Sequence, residues 1–199
     1  MPATDLLSRA LDAPAEPPLR LLPDVVSELL RELAAPPRLA AHLRLVHDVA
    51  AELADWLEEF NPGLTFDREA VLFGAATHDI GKTVHPAELS GPGSAHESAG
   101  RELLLAHGFT PAQARFAATH ASWSAAGVSV DELLVSVADK VWKGQRVTDL
   151  EDLLIDHLVR AAPGTERWEA YLELDALLAR IAEGADTRLA FQALHPVHA

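Results

Sequence analysis

The sequence has no cysteine, which removes disulfides, thiolate metal sites and cysteine nucleophiles together. It also has no apolar run approaching the ~18 residues of a membrane span, so no membrane partner is expected. The opening Met1-Pro2-Ala3-Thr4-Asp5 lacks a basic region ahead of an apolar core, so no secretory signal is expected and a cytoplasmic location is the default. Period-2 alternation is absent over any useful length and β-branched residues are sparse, which argues against strands. Lysine is scarce: the chain has Lys82, Lys140 and Lys143 and no others. With 30 acidic against 16 basic residues the formal charge is −14, which argues against a nucleic-acid duplex as partner, because phosphate backbones recruit basic surfaces. A small phosphorylated substrate stays compatible with that charge if cations are gathered locally, and the three lysines all lie beside the two motifs described below.

What is present is apolar and helical in period. A hydrophobic content of 49% with mean hydropathy near zero fits a globular chain, and 199 residues are enough for one well-buried domain. Residues 1–23 hold two leucine patches separated by Pro14, Pro17 and Pro18, which predicts an irregular segment with a brief helix packed on the main body. Val25, Val26, Leu29, Leu30 and Leu33 follow helical spacing up to Pro36-Pro37. A long helix is predicted from about Arg38 to Phe60, with the stripe Leu39, Leu43, Val46, Ala50, Leu53 and Leu57, stopped by Asn61-Pro62-Gly63. The next opens near Asp67 and ends at His78-Asp79-Ile80-Gly81, with Gly81 as its stop. Four further starts have the Ser/Thr-x-x-Glu/Gln form of a capping box, at Ser94, Thr110, Ser129 and Thr148. A last helix is predicted over about Thr165 to Ala182, with Leu172, Leu178 and Ile181 among its apolar positions. The fold class is all-α, with no repeat or linker that would divide the chain.

Placed on those helices, the metal-ligand residue types fall at helix ends. His78 and Asp79 end one helix, His96 stands in the first turn of the next, and His120 ends the one after that. Asp139 ends the markedly apolar segment Leu133 to Asp139, where an unpaired carboxylate would neutralise itself or destabilise the fold. Such residues can converge in a bundle core as metal ligands do in helical metalloproteins. The long helix offers His42 or His47 as a further ligand; they stand about 140° apart around its axis, so both cannot serve the same position. His42 is preferred because Val46, Ala50, Leu53 and Ala54 follow it, whereas His47 is followed by Glu52 and Asp55. His47 is kept as a group that either supports the ligands from behind or faces the substrate. Imidazole and carboxylate without thiolate suit one or two divalent transition metal ions, iron or manganese favoured, with zinc, nickel or magnesium compatible. The five remaining histidines, His85, His107, His157, His195 and His198, are left unassigned.

The ordered set His42, His78-Asp79 within Thr-His-Asp-Ile-Gly-Lys, His96, His120 and Val137-Ala138-Asp139 resembles the HD superfamily of metal-dependent phosphohydrolases. The resemblance implies an HD-domain helical bundle over 38–147, with 1–37 as an N-terminal helical extension packed on it and 148–199 as a C-terminal helical extension of the same globule. The six-ligand form is similar to branches that bind two metals with the dyad aspartate, here Asp79, bridging. In local sequence the stretch from Ala138-Asp139 to Arg146 is closest to the branch hydrolysing symmetrical dinucleoside polyphosphates. The chain departs from that branch in a longer link from His42 to His78, a shorter one from Asp79 to His96, and extensions at both ends. The cyclic-dinucleotide branch pairs histidines where this chain has His120-Ala121. The di-iron oxygenase branch uses the same six ligands but separates the last two more widely.

By that resemblance Asp79 and Lys82 are the expected catalytic residues, and His42, His78, Asp79, His96, His120 and Asp139 the metal ligands. Lys82, Lys143, Arg146 and His47 are the expected contacts to a small phosphorylated substrate, a nucleotide in the first instance. The reaction implied is metal-assisted hydrolysis of a phosphate ester or anhydride. A mixed-valent di-iron oxygenase and a non-catalytic metal or nucleotide sensor are the alternatives, and a homodimer is compatible with the sequence.

Overall fold

The computed structural model describes residues 3–162 and 164–197; Met1, Pro2, Pro163, His198 and Ala199 lie outside them. Among the described residues all regular structure is helical. In chain order the α-helices are α1 (Ala3–Asp12), α2 (Asp24–Glu32), α3 (Pro37–Phe60), α4 (Arg68–Thr77), α5 (Ala95–Ala106), α6 (Pro111–Thr119), α7 (Val130–Val141), α8 (Thr148–Ala161), α9 (Arg167–Glu183) and α10 (Ala185–Ala193). Two 3₁₀ turns, Ile80–Thr83 and Pro86–Leu89, bridge α4 and α5.

The long helix α3 is the axis. Pro36 is its N-cap and Pro37 its first residue, so the proline pair that closes α2 also opens α3, where a missing N–H has no intrahelical role. Its predicted stripe is wholly buried, and so are Ala40, Ala41, Arg44, Leu45, His47, Val49 and Ala51 on other faces. A helix covered nearly all round is a central element, not an amphipathic surface one. One apolar cluster joins the C-terminal two-thirds of α3 to α4, α7, α8 and α9. A second joins its first turns to α1, α2, α4, α5 and α6. His42 stands on α3 where the two clusters meet.

Helix starts differ in how they are capped. The boxes at Thr110–Gln113 and Ser129–Glu132 form in both directions. Those expected at Ser94 and Thr148 do not. Ser94 makes no side-chain cap; the Glu88 carboxylate, from the preceding 3₁₀ turn, accepts from Ala95 N and His96 N instead. Thr148 is the first helical residue, behind the N-cap Val147, and Glu151 accepts from Val147 N at 3.0 Å. Gly81 is not the stop of α4, whose cap is His78. Its role is close approach: a Cβ there would collide with His96 O and stand 2.5 Å from Gly100 N. The turn after Asp79 thereby packs directly on the backbone of α5.

The terminal segments are tied to the same body. The buried Arg44 guanidinium donates to Ala13 O, Leu19 O and Arg20 O at 2.8–3.1 Å, which gives the proline-rich stretch a set course. On α9, Leu172 is 54% exposed, while Leu174, Leu177, Leu178 and Ile181 face the core. The helix α10 follows after Gly184 alone, with no capping side chain to announce it. No helix among the described residues is long and apolar enough to cross a membrane.

Candidate metal centre

Five helices deliver the six ligand-type residues to one place. His42 comes from α3, His78 and Asp79 from the end of α4, His96 from the first turn of α5, His120 from the cap of α6, and Asp139 from α7. All six are buried. Their ligand atoms form two groups, His42 with His78 and Asp139, and Asp79 with His96 and His120, each with atoms within 4.8 Å of one another.

Asp79 joins the groups. Its Oδ1 lies 3.0 Å from His96 Nε2 and 3.6 Å from His120 Nε2. Its Oδ2 lies 3.1 Å from His42 Nε2 and 3.6 Å from His78 Nε2. Asp139 Oδ1 is 3.4 Å from His78 Nε2 and 3.8 Å from His42 Nε2. Ligand atoms held about 2.1 Å from one ion stand about 3.0–3.4 Å from each other in octahedral or tetrahedral arrangement. The observed spacings lie at and slightly above that range.

The imidazoles are oriented from behind. His78 Nδ1 donates to Ala75 O at 2.9 Å, and His120 Nδ1 to Phe116 O and Ala117 O at 3.3 and 3.2 Å. His96 Nδ1 lies 2.5 Å from Glu88 Oε2. A carbonyl or carboxylate at Nδ1 selects the tautomer that leaves the Nε2 lone pair facing the cluster. His42 differs, because its Nδ1 is buried without a hydrogen-bond partner. Glu88 thus caps α5 and orients His96 at once, and no local pattern in the sequence marks it.

Charge follows from burial and contact. Burial pushes His120 down to about 4, with the His78 charge acting the same way, and burial also lowers His42. Burial alone would raise Asp79, but the surrounding imidazoles, His78 foremost, hold it well below the carboxylate range. Asp139 is likewise held down against its burial, by the hydrogen bond and charge of His78. Two ionised carboxylates therefore stand buried among imidazoles. His96 Nε2 is buried 3.0 Å from Asp79 Oδ1 without making a hydrogen bond to it. Such an orphaned nitrogen, with the others aimed at common points, fits a divalent transition metal.

The cluster opens on a cavity of about 450 Å³. His42, Asp79, His96, His120 and Asp139 line it, and so do all three lysines. Lys82 Nζ is 2.6 Å from Asp79 Oδ2 and Lys140 Nζ is 2.7 Å from Asp139 Oδ2. Lys143 makes no ion pair among the described residues. Lys140 was not among the expected contacts; its adjacency to Asp139 was the available signal. The Trp142 ring packs edge-on against His42 with centroids 4.9 Å apart.

Two expected contacts stand elsewhere. Arg146 does not line the cavity; its guanidinium is committed to Glu151 at 2.8 and 2.7 Å and to Asp175 at 2.8 Å. His47 does not line it either, because five residues along α3 turn it to another face, where Asp48 and Arg20 are its charged neighbours. Of the unassigned histidines, His85, His107, His157 and His195 are absent from the cavity wall, and His198 lies outside the described residues.

Comparison with known proteins agrees with this geometry. The family model described as HD domain matches residues 39–143, a little over half of the chain and the stretch that carries all six residues. No curated protein and no solved structure matches the chain. The fold, the ordered residues and this match lead to one conclusion: the chain belongs to the HD domain family.

Proposed function

We propose that the protein is a metal-dependent phosphohydrolase that cleaves a phosphate ester or anhydride of a nucleotide or similar small molecule. The observation that carries this reading is the position of Asp79, whose two oxygens divide between two groups of imidazoles at the base of a cavity lined by every lysine of the chain. The family at large is one of hydrolases, which supports the same reaction class. His42, His78 and Asp139 would hold one ion and Asp79, His96 and His120 a second, with iron or manganese favoured by the nitrogen and oxygen donors. When bound, such an ion polarises a phosphoryl oxygen and lowers the pKa of water in contact with it from ~15.7 toward ~7.

The chain's own residues supply binding and orientation. Lys82, Lys140 and Lys143 hold the phosphate oxygens and stabilise charge as it develops on them. The ionised Asp79, held below its ordinary range, accepts a hydrogen bond from the attacking water and aims it. The ligand side chains are buried, so the interactions of Asp79 act in a lower local dielectric than bulk water. The resemblance of the stretch from Ala138 to Arg146 to a nucleotide-hydrolysing branch supports a nucleotide-type substrate.

A phosphate-release screen over nucleotides and sugar phosphates tests the reading, with protein reconstituted separately with manganese and, under anaerobic conditions, iron. Release by the wild type, reduced on the order of 10³-fold in Asp79→Ala, is the expected result. No release with either metal across the panel overturns it.

A further inference from the structure

Residues 39–143 do not enclose the cavity by themselves. Leu189 and Gln192, three residues apart on one face of α10, line it together with Leu89 and Trp142. The helix α10 is held in that position. Arg188 Nε donates to Trp142 O at 2.6 Å, joining α10 to the end of α7. Beyond its C-terminus, His195 O accepts from Arg38 Nε at 3.0 Å and Pro196 O from Arg38 N at 3.1 Å, which ties the segment to the start of α3.

One group on this wall, and one buried behind it, have unused hydrogen-bonding capacity. The Gln192 side-chain amide makes no hydrogen bond among the described residues. Trp142 is 4% exposed, and its Nε1–H is buried without an acceptor, although a buried indole N–H ordinarily finds one. Neither group serves the ligand set or the phosphate contacts described above.

We infer that α10, through Gln192 and Leu189 and together with the Trp142 indole, is the specificity wall of the site and seats the base of a nucleoside monophosphate. The phosphate end of this inference rests on the phosphohydrolase reading; the wall itself rests on α10. A primary amide presents a donor and an acceptor side by side, which matches the paired polar edge of a nucleobase. Leu89 and Leu189 supply apolar contact for a ring face, which a sugar phosphate does not call for. A cavity of about 450 Å³ falls in the range of small-molecule sites and suits a single nucleotide.

The test is calorimetric titration of manganese-loaded wild type, Gln192→Ala and Leu189→Ala. The probes are the four common nucleoside 5′-monophosphates, ribose 5-phosphate and inorganic phosphate. In the wild type at least one monophosphate binds about tenfold or more tightly than ribose 5-phosphate. Gln192→Ala removes about tenfold of that preference and Leu189→Ala about threefold, while inorganic phosphate binds all three proteins alike, which reports an intact site. Equal binding of ribose 5-phosphate and every monophosphate by the wild type, or undiminished preference in Gln192→Ala, overturns the inference. Phosphate release over the same panel separates the two readings. Gln192-dependent binding without release keeps the wall and contradicts the hydrolase; release with undiminished preference in Gln192→Ala contradicts the wall alone.

Discussion

His42 and His47 lie five residues apart on α3 and both are buried, at 6% and 5% exposure. His42 Nε2 meets His78 Nε2 at 3.3 Å and Asp79 Oδ2 at 3.1 Å, with Asp139 and Trp142 close by. His47 has no comparable company: Asp48 and Arg20 are its charged neighbours and its Nδ1 has no hydrogen-bond partner. Burial lowers the pKa of both. A buried, shifted histidine is therefore not in itself a sign of a site; what distinguishes His42 is convergence with groups from two other helices, α4 and α7.

The comparison can be broken most forcefully at His42. Replacing it by alanine removes one donor from the group completed by His78 and Asp139, and phosphate release is expected to fall on the order of 10²-fold with loss of bound metal. His47→Ala should leave metal content unchanged by elemental analysis. Equal metal loss in both variants would erase the distinction.

A smaller effect is expected one layer out. Glu88→Gln weakens the acceptor that orients His96, and metal affinity, measured by competition with a chelator, should drop about 10–100-fold. An unchanged affinity would mean that His96 needs no support from Glu88.

His47 predicts a pH dependence of stability instead of activity. Its pKa is about 4 in the folded chain, against about 6.5 unfolded, because burial penalises the imidazolium. Protons then favour the unfolded chain: this contribution is fully present above pH ~6.5 and is lost as pH falls toward 4, by an amount on the order of 3 kcal/mol. Urea unfolding of wild type and His47→Gln across that window should show a shallower decline in the variant. Parallel declines would contradict the assignment.

The smallest effect is expected at Arg146. Its ion pairs with Glu151 and Asp175 are partly exposed, so Arg146→Ala should change stability by no more than about 1 kcal/mol and activity by less than about twofold. A tenfold rise in KM would return Arg146 to the substrate.

Much of the scaffold was legible because it rests on local rules. The α3 stripe, the Asp67 cap and the Thr110 and Ser129 boxes are short-range patterns, and the structure forms each of them. The ordered histidines and aspartates were legible as a set because residue type and helix-end position can be read along the chain. Other features depend on contacts distant in sequence or on competition between nearby groups. Glu88 displaces Ser94 as the cap of α5 only because a turn brings its carboxylate there. Gly81 looked like a helix stop, but its need for a missing side chain comes from the backbone of α5. Arg146 sits near Asp139 in sequence, and carboxylates on α8 and α9 take it away. Helix α10 reaches the cavity across more than forty residues of chain from Asp139, and no periodicity could have placed it there.

The central claim is that Asp79 sits between two groups of ligands that together hold metal. Elemental mass spectrometry of purified wild type and Asp79→Ala, with folding verified by circular dichroism, tests it most directly. One or two transition metal ions per chain in the wild type, and a background level in folded Asp79→Ala, is the predicted result. A metal-free wild type that takes up no iron or manganese, or an Asp79→Ala variant with undiminished metal, would contradict it.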